Sequence, residues 1–136
     1  MHVPSLYDRV GGMPFFNELV DRFYDGVHTD QVLIPLYPPA DLPAARRRLA
    51  LFLVQYWGGP TTYLEERGHP RLRARHSGYR IGALERDRWL YHMRAAIDAS
   101  AAGPVERGEL HAYMTLAADA MINTDVPAGT AAGSNR

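Results

Sequence analysis

The chain has 136 residues and zero net charge, because 15 arginines balance 15 acidic residues, and it contains neither cysteine nor lysine. This length predicts one domain, and the missing thiols exclude disulfides and thiolate metal sites. A chain with no net charge is not expected to bind nucleic acid or acidic membranes. No apolar run approaches the ~18 residues of a membrane span, and the amino terminus lacks a secretory signal, so we expect a cytoplasmic protein.

The first half of the chain is predicted to be helical. A short helix over residues 6–10 should end at paired glycines. The first long helix follows from apolar residues spaced along one helical face, namely Phe16, Leu19, Val20, Phe23, Tyr24 and Val27. A second long helix is predicted to begin with Asp41 as its N-cap and Pro43 in its first turn, and to end at residues 58–60. Residues 61–70 have no clean period and are predicted to form an irregular loop.

The second half continues the helical pattern. A short helix is predicted over residues 70–77, and two long helices over residues 84–100 and 105–123. No convincing alternating strand is present, so the predicted fold class is all-α, with four long helices arranged as two packed antiparallel pairs. Residues 1–125 form the predicted domain, and residues 126–136 are expected to be a disordered tail.

Most familiar catalytic and metal-binding motifs are missing. The sequence has no phosphate-binding glycine loop, no His-Glu-x-x-His motif, and no Glu-x-x-His pair for a di-iron bundle. Four aromatic side chains with polar tips lie on predicted helical faces or near a turn, namely Tyr24, Tyr37, Tyr56 and Trp89. Their tips either converge on a cavity or bond to nearby backbone carbonyls. His76 shares a helical face with Leu72, and it is either a core residue or a ligand.

Five segments, taken in order, resemble one known family. They are LYDRVGG at 6–12, RFY at 22–24, YWGGP at 56–60, GHPRLRARH at 68–76 and ERDRWL at 85–90. Together they resemble the truncated haemoglobins of group II, the O-type branch, over residues 5–124. The resemblance implies a shortened globin, in which a two-over-two antiparallel helical sandwich surrounds haem b.

The resemblance also implies roles for particular side chains. His76 matches the proximal iron ligand, and a carbonyl near Leu72 should hold its other ring N–H. Tyr24, Tyr37 and Trp89 match the distal positions that hydrogen-bond a ligand, and small Ala45 leaves an open entry. The remaining lining candidates are apolar: Phe23, Leu49, Phe52, Leu53, Leu72, Ile81 and Met93. The candidates for pairing with the haem propionates are Arg48, Tyr63 and Arg75.

Three functions can be considered for such a protein. The first is a haem protein that binds oxygen, and other small ligands such as CO, NO, cyanide or sulfide, and releases oxygen slowly. The second is a redox enzyme, a nitric-oxide dioxygenase or peroxidase-like protein that needs an external reductase. The third is a haem-free helical module, which does not explain why these residues all fall on family positions. The sequence leaves oxygen transport, a homodimer and the physiological reaction open.

Overall fold

The structure is a computed structural model and describes residues 3–124, so the expected tail at 126–136 lies outside the described residues. Two 3₁₀ turns, Ile34–Leu36 and Pro39–Asp41, connect the second and third of its α-helices. The helices are α1 (Leu6–Arg9), α2 (Met13–Val27), α3 (Leu42–Tyr56), α4 (Thr62–Arg67), α5 (Leu72–Arg75), α6 (Ala83–Ala99) and α7 (Pro104–Met121). Over the described residues no strand is present, which confirms the all-α prediction.

The four long helices pack as two pairs. Helix α2 packs against α3, α6 packs against α7, and α2 also contacts α6, so that it joins the two pairs. The predicted apolar face of α2 is buried throughout, and Phe16, Leu19 and Phe23 have no exposed surface. The opposite face of α2 is exposed. The amphipathic pattern therefore correctly identified the side of the helix that faces the core.

The prediction of an irregular loop over residues 61–70 is wrong in part, because Thr62–Arg67 forms helix α4. This helix is only six residues long, too short to be stable by itself. Tertiary contacts hold it: Tyr63 is buried against Phe52, with ring centroids 5.7 Å apart. The side chain of Gln55 accepts a hydrogen bond from the backbone N–H of Leu64 at 2.8 Å. Neither contact leaves a periodic signal in the local sequence.

The start of α3 lies where the sequence predicts it, although the cap differs. Asp41 flanks the helix and Pro43 lies in its first turn, but the Asp41 carboxylate does not accept a backbone N–H of α3. It instead pairs with Arg48, two turns further along, at 2.6 Å. The Arg48 guanidinium lowers the pKa of the Asp41 carboxyl, chiefly through this hydrogen bond.

No helix of residues 3–124 is both long and apolar enough to cross a membrane.

A tight turn after α3 brings α1 against it. The backbone N–H of Tyr7 donates to the carbonyl of Trp57 at 3.0 Å. Gly58 then has a φ of +102°, and a Cβ there would lie 2.6 Å from the Cβ of Ser5. Only glycine meets both conditions without strain. This accounts for the glycine at position 58 of the YWGGP segment.

We expect Gly58→Ala to lower the free energy of unfolding by ~1–3 kcal/mol, since it adds both left-handed strain and a steric overlap. Gly108→Ala is the matched control, because Gly108 lies within α7 and a Cβ there meets nothing within 4 Å. The control should stabilise the protein by ~0.5–1 kcal/mol. Urea unfolding of both variants measures the difference, and equal effects of the two would contradict this account of the turn.

Candidate functional site

A cavity of about 360 Å³ opens among the helices, within the ~300–1,000 Å³ range typical of ligand pockets. Its walls come from helices α2 to α7 and from the segment between α2 and α3. Thirteen of the residues singled out from the sequence line it. They are Tyr24, Tyr37, Ala45, Arg48, Leu49, Phe52, Leu53, Tyr63, Leu72, Arg75, His76, Ile81 and Trp89.

Two predicted lining residues are placed elsewhere. Phe23 and Met93 are fully buried in the hydrophobic core and are not among the residues that line the cavity. Phe23 still contacts the site indirectly, because its ring lies 5.1 Å from that of Trp89 and 5.0 Å from that of Tyr24, centroid to centroid. Phe23 is therefore packed behind the aromatic wall of the cavity.

The imidazole of His76 has a fixed orientation. It follows the short helix α5, and its Nδ1 lies 2.6 Å from the carbonyl oxygen of Leu72, the contact that the family resemblance implied. Since a carbonyl can only accept, Nδ1 must carry the proton in this contact. In the neutral ring Nε2 then keeps its lone pair, which is the state required of a metal ligand.

Three aromatic side chains cluster in the cavity wall. The rings of Tyr24 and Tyr37 meet edge to face, with centroids 5.5 Å apart. Burial raises the pKa of Tyr37 to about 12, and the neighbouring side chains of Trp89 and Tyr24 act against this rise. Burial also raises the pKa of Tyr24, with a further contribution from Tyr37. Tyr24, Tyr37 and Trp89 thus line one part of the cavity, and both phenols stay protonated at neutral pH.

The predicted propionate candidates line the cavity, but two of them already have partners. Arg48 pairs with Asp41 through both of its terminal nitrogens. Arg75 donates to three backbone carbonyls, those of Arg67, His69 and Pro70, at 2.6–3.0 Å. Tyr63 is buried, and the Arg75 guanidinium lies 6.0 Å from its ring centre.

Several lining residues were not predicted from the sequence. Helix α7 contributes Tyr113, Met114, Ala117, Ala118 and Met121. The sequence marks four of these as an apolar stripe, but it does not tell whether such a stripe faces other helices or a cavity. Arg67 also lines the cavity, as does the buried carboxylate of Glu85, which accepts the backbone N–H of Gly82 at 2.8 Å. The Gly-x-x-Glu spacing at the start of α6 is the signal that would have suggested this cap.

The residues present fit a haem group. Mostly apolar walls suit a porphyrin, a single imidazole with a free Nε2 suits its iron, and guanidinium groups at the cavity suit its two carboxylates. The hydroxyl and indole donors add hydrogen-bonding groups to a mostly apolar lining. The haem-free helical module, the third function considered above, leaves all four of these features unexplained.

Comparison with known proteins agrees with this interpretation. The family model for bacterial-like globins matches residues 5–123. The group 2 truncated hemoglobin YjbI of Bacillus subtilis (strain 168) is 39% identical over 112 residues, covering 82% of this chain and 84% of that protein. A thermostable hemoglobin from Thermobifida fusca is 56% identical with a TM-score of 0.86, covering 89% and 98% of the two chains. The group II truncated hemoglobin of Bacillus anthracis is 35% identical with a TM-score of 0.88, covering 95% and 98%.

The fold is therefore that of a shortened globin. The chain belongs to the bacterial-like globin family, and its relatives from Bacillus subtilis and Bacillus anthracis are group 2 truncated haemoglobins, the branch that the five sequence segments resemble. Membership of this family implies binding of haem and of small ligands such as oxygen.

The buried tyrosines predict a loss of stability at alkaline pH. Burial, together with the neighbouring Tyr56, raises the pKa of Tyr113 to about 12, whereas in the unfolded chain it titrates near 10. The folded state therefore holds this proton longer, and its stabilising contribution is lost as pH rises from about 10 to 12. Between pH 9 and pH 11 the free energy of unfolding should therefore fall by ~1 kcal/mol more in the unsubstituted protein than in Tyr113→Phe.

Urea unfolding of both proteins at pH 9 and pH 11 measures this difference. The control is exposed Tyr91→Phe, which should follow the unsubstituted protein, and identical losses in all three would contradict the prediction.

Proposed function

We propose that this protein binds haem b in the cavity through Nε2 of His76, and that it binds oxygen and other small diatomic ligands which it releases slowly. The hydrogen bond between His76 Nδ1 and the Leu72 carbonyl, at 2.6 Å, carries this proposal. When bound, the haem supplies a ferrous iron that takes up one small ligand and gives it partial negative charge. Everything else in the site serves to orient that group, exclude water and donate hydrogen bonds.

The chain's own residues supply the orientation and the dry surroundings. The Leu72 carbonyl fixes which nitrogen of His76 is protonated and the plane of its ring. Leu49, Phe52 and Leu53 present apolar side chains from α3, which keep water away from the iron. Arg48 and Arg75 are our candidates for holding the propionates. Arg48 would then share its guanidinium with Asp41, and Arg75 would keep its backbone partners.

Slow release is proposed to depend on the polar tips of Trp89, Tyr37 and Tyr24. All three side chains line the cavity, and the size of Ala45 leaves room beside them. The indole N–H of Trp89 can only donate, so it is always oriented correctly toward an acceptor. A hydrogen bond to a partly charged acceptor is worth ~1.5–3 kcal/mol. Losing one such bond should accelerate dissociation by about tenfold or more.

The site does not select between a ligand-binding protein and an enzyme that consumes the ligand. Redox turnover with nitric oxide or peroxide would need an external reductant, and no observation on the described residues favours it. Retention of the ligand is the function that the distal donors support directly.

His76→Gly tests haem ligation. The unsubstituted protein should take up haem stoichiometrically, and its absorption spectrum should shift on reduction and on addition of oxygen or carbon monoxide. The variant should lose the histidine-ligated spectrum, and free imidazole, which fits the vacated space, should restore it. His69→Gly in the preceding loop, where the side chain is exposed, should behave like the unsubstituted protein. Failure of the unsubstituted protein to take up haem would overturn the proposal.

Trp89→Phe tests the distal donors. Oxygen dissociation, followed by stopped flow, should accelerate at least about tenfold, because one donated hydrogen bond is lost. Trp57→Phe is the matched control, since the Trp57 indole nitrogen is buried without a hydrogen-bond partner and does not line the cavity. The control should leave the rate unchanged. An unaltered rate in Trp89→Phe would reject Trp89 as a donor.

A further inference from the structure

One buried carboxylate lies outside the cavity and is not used by the proposed function. Asp30 is 6% exposed and does not line the cavity. It follows the end of α2, and its backbone N–H donates to the carbonyl of Val27 at 3.0 Å. A buried charge of this kind is costly unless it is fully hydrogen-bonded. Its partners therefore indicate what it holds in place.

The Asp30 carboxylate is satisfied from two directions. Its Oδ2 accepts from Nε2 of His92 at 2.6 Å and from Nε of Arg88 at 2.9 Å, both on α6. Its Oδ1 accepts from the backbone N–H of Val32 at 2.9 Å, in its own segment. Burial by itself raises the pKa of Asp30, but these hydrogen bonds outweigh it and hold the pKa at about 2. Asp30 is therefore ionised at neutral pH.

These partners adjoin the three distal side chains. Arg88 and His92 lie one residue before and three residues after Trp89, on the same helix. The carbonyl of Asp30 accepts the backbone N–H groups of Leu33 and Ile34, which start the turns that lead to Tyr37.

His92 also contacts α2, the helix that carries Tyr24. A Cβ at Gly26 would lie 2.3 Å from Nδ1 of His92. The imidazole therefore packs directly on the backbone of α2, which only glycine permits. The Asp30 cluster, defined as Asp30, Arg88 and His92, thus joins the three elements that carry the distal donors.

We propose that Asp30 is a positioning residue, which sets the rate of ligand release by fixing α6, and with it the indole of Trp89, against the segment that carries Tyr37. This inference rests on the proposed function. An ordinary buried ion pair would contribute to stability alone. If Asp30 also positions Trp89, substituting it changes the rate of ligand release, although Asp30 itself does not line the cavity.

The experiment combines Asp30→Asn with Trp89→Phe in the ferrous haem-loaded protein. Asparagine has the same size, but its amide group cannot accept from all three donors. Asp30→Asn should accelerate oxygen dissociation by about three- to tenfold, a partial loss of the bond from Trp89. In the Trp89→Phe background it should change the rate by less than about twofold, because residues that act through one another are not additive. With carbon monoxide bound, Asp30→Asn should shift and broaden the C–O infrared band in the direction seen for Trp89→Phe.

Asp98→Asn is the matched control. Asp98 also lies on α6 and contacts a histidine, His111, at 2.9 Å, but neither residue lines the cavity. It should alter neither the dissociation rate nor the infrared band. If Asp30→Asn does not fold, Arg88→Met removes one of the same hydrogen bonds from a side chain that is 39% exposed, and it carries the same expectations.

The outcomes separate this inference from the proposed function. If Trp89→Phe alone leaves the rate unchanged, the distal role of Trp89 fails and the role of Asp30 fails with it. If Trp89→Phe acts and a folded Asp30→Asn leaves both rate and band unchanged, only the positioning role is overturned. It is also overturned if Asp30→Asn accelerates release equally in both backgrounds, because its effect then does not pass through Trp89.

Discussion

The site depends on how a four-residue helix is held in place. Helix α5 is too short to persist alone, yet it must present His76 in one orientation. Arg75 donates to the carbonyls that precede α5, and Arg73 donates to the carbonyls of Ala120 and Ile122 at the C-terminal end of α7. The side chain of Asn123 donates to the carbonyls of His76 and Tyr79. Hydrogen bonds from side chains to the backbone thus stabilise α5, whereas the long helices of the molecule are stabilised by their length.

This arrangement explains why arginine matters around the site. A guanidinium offers five N–H groups in a rigid fork, so one side chain can satisfy several carbonyls at once. In Arg75 those bonds neutralise no charge, since carbonyls are neutral. The positive charge therefore remains available to an anionic group in the cavity. Structural support and recognition of a carboxylate are compatible in one residue for this reason.

The sequence predicts the long helices well, because each buries one face and leaves the other in water. It fails where structure depends on distant contacts. Helix α4 forms because Tyr63 packs on Phe52 and Gln55 bonds to the backbone of Leu64. Likewise, the apolar stripe of α7 is visible in the sequence, but its role as a cavity wall depends on what α5 and α6 leave open. The roles of His76, Tyr24, Tyr37 and Trp89 were predicted through family resemblance, since spacing alone favoured ordinary structural roles for these side chains.

The mutual contacts of the distal tips limit how strongly they can hold a ligand. The rings of Tyr24 and Tyr37 meet edge to face, and Trp89 and Tyr24 both act on the pKa of the Tyr37 hydroxyl. Any hydrogen bond that these tips make to one another must be exchanged for one to an entering ligand, and it re-forms when the ligand leaves. The net gain is the difference between the two sets, which is smaller than the full strength of a new bond. The preorganisation of these donors instead strengthens ligand binding, because donors that are already ordered lose little entropy when the ligand binds. Slow release in this pocket would therefore depend less on the number of donors than on how rigidly the surrounding helices hold them.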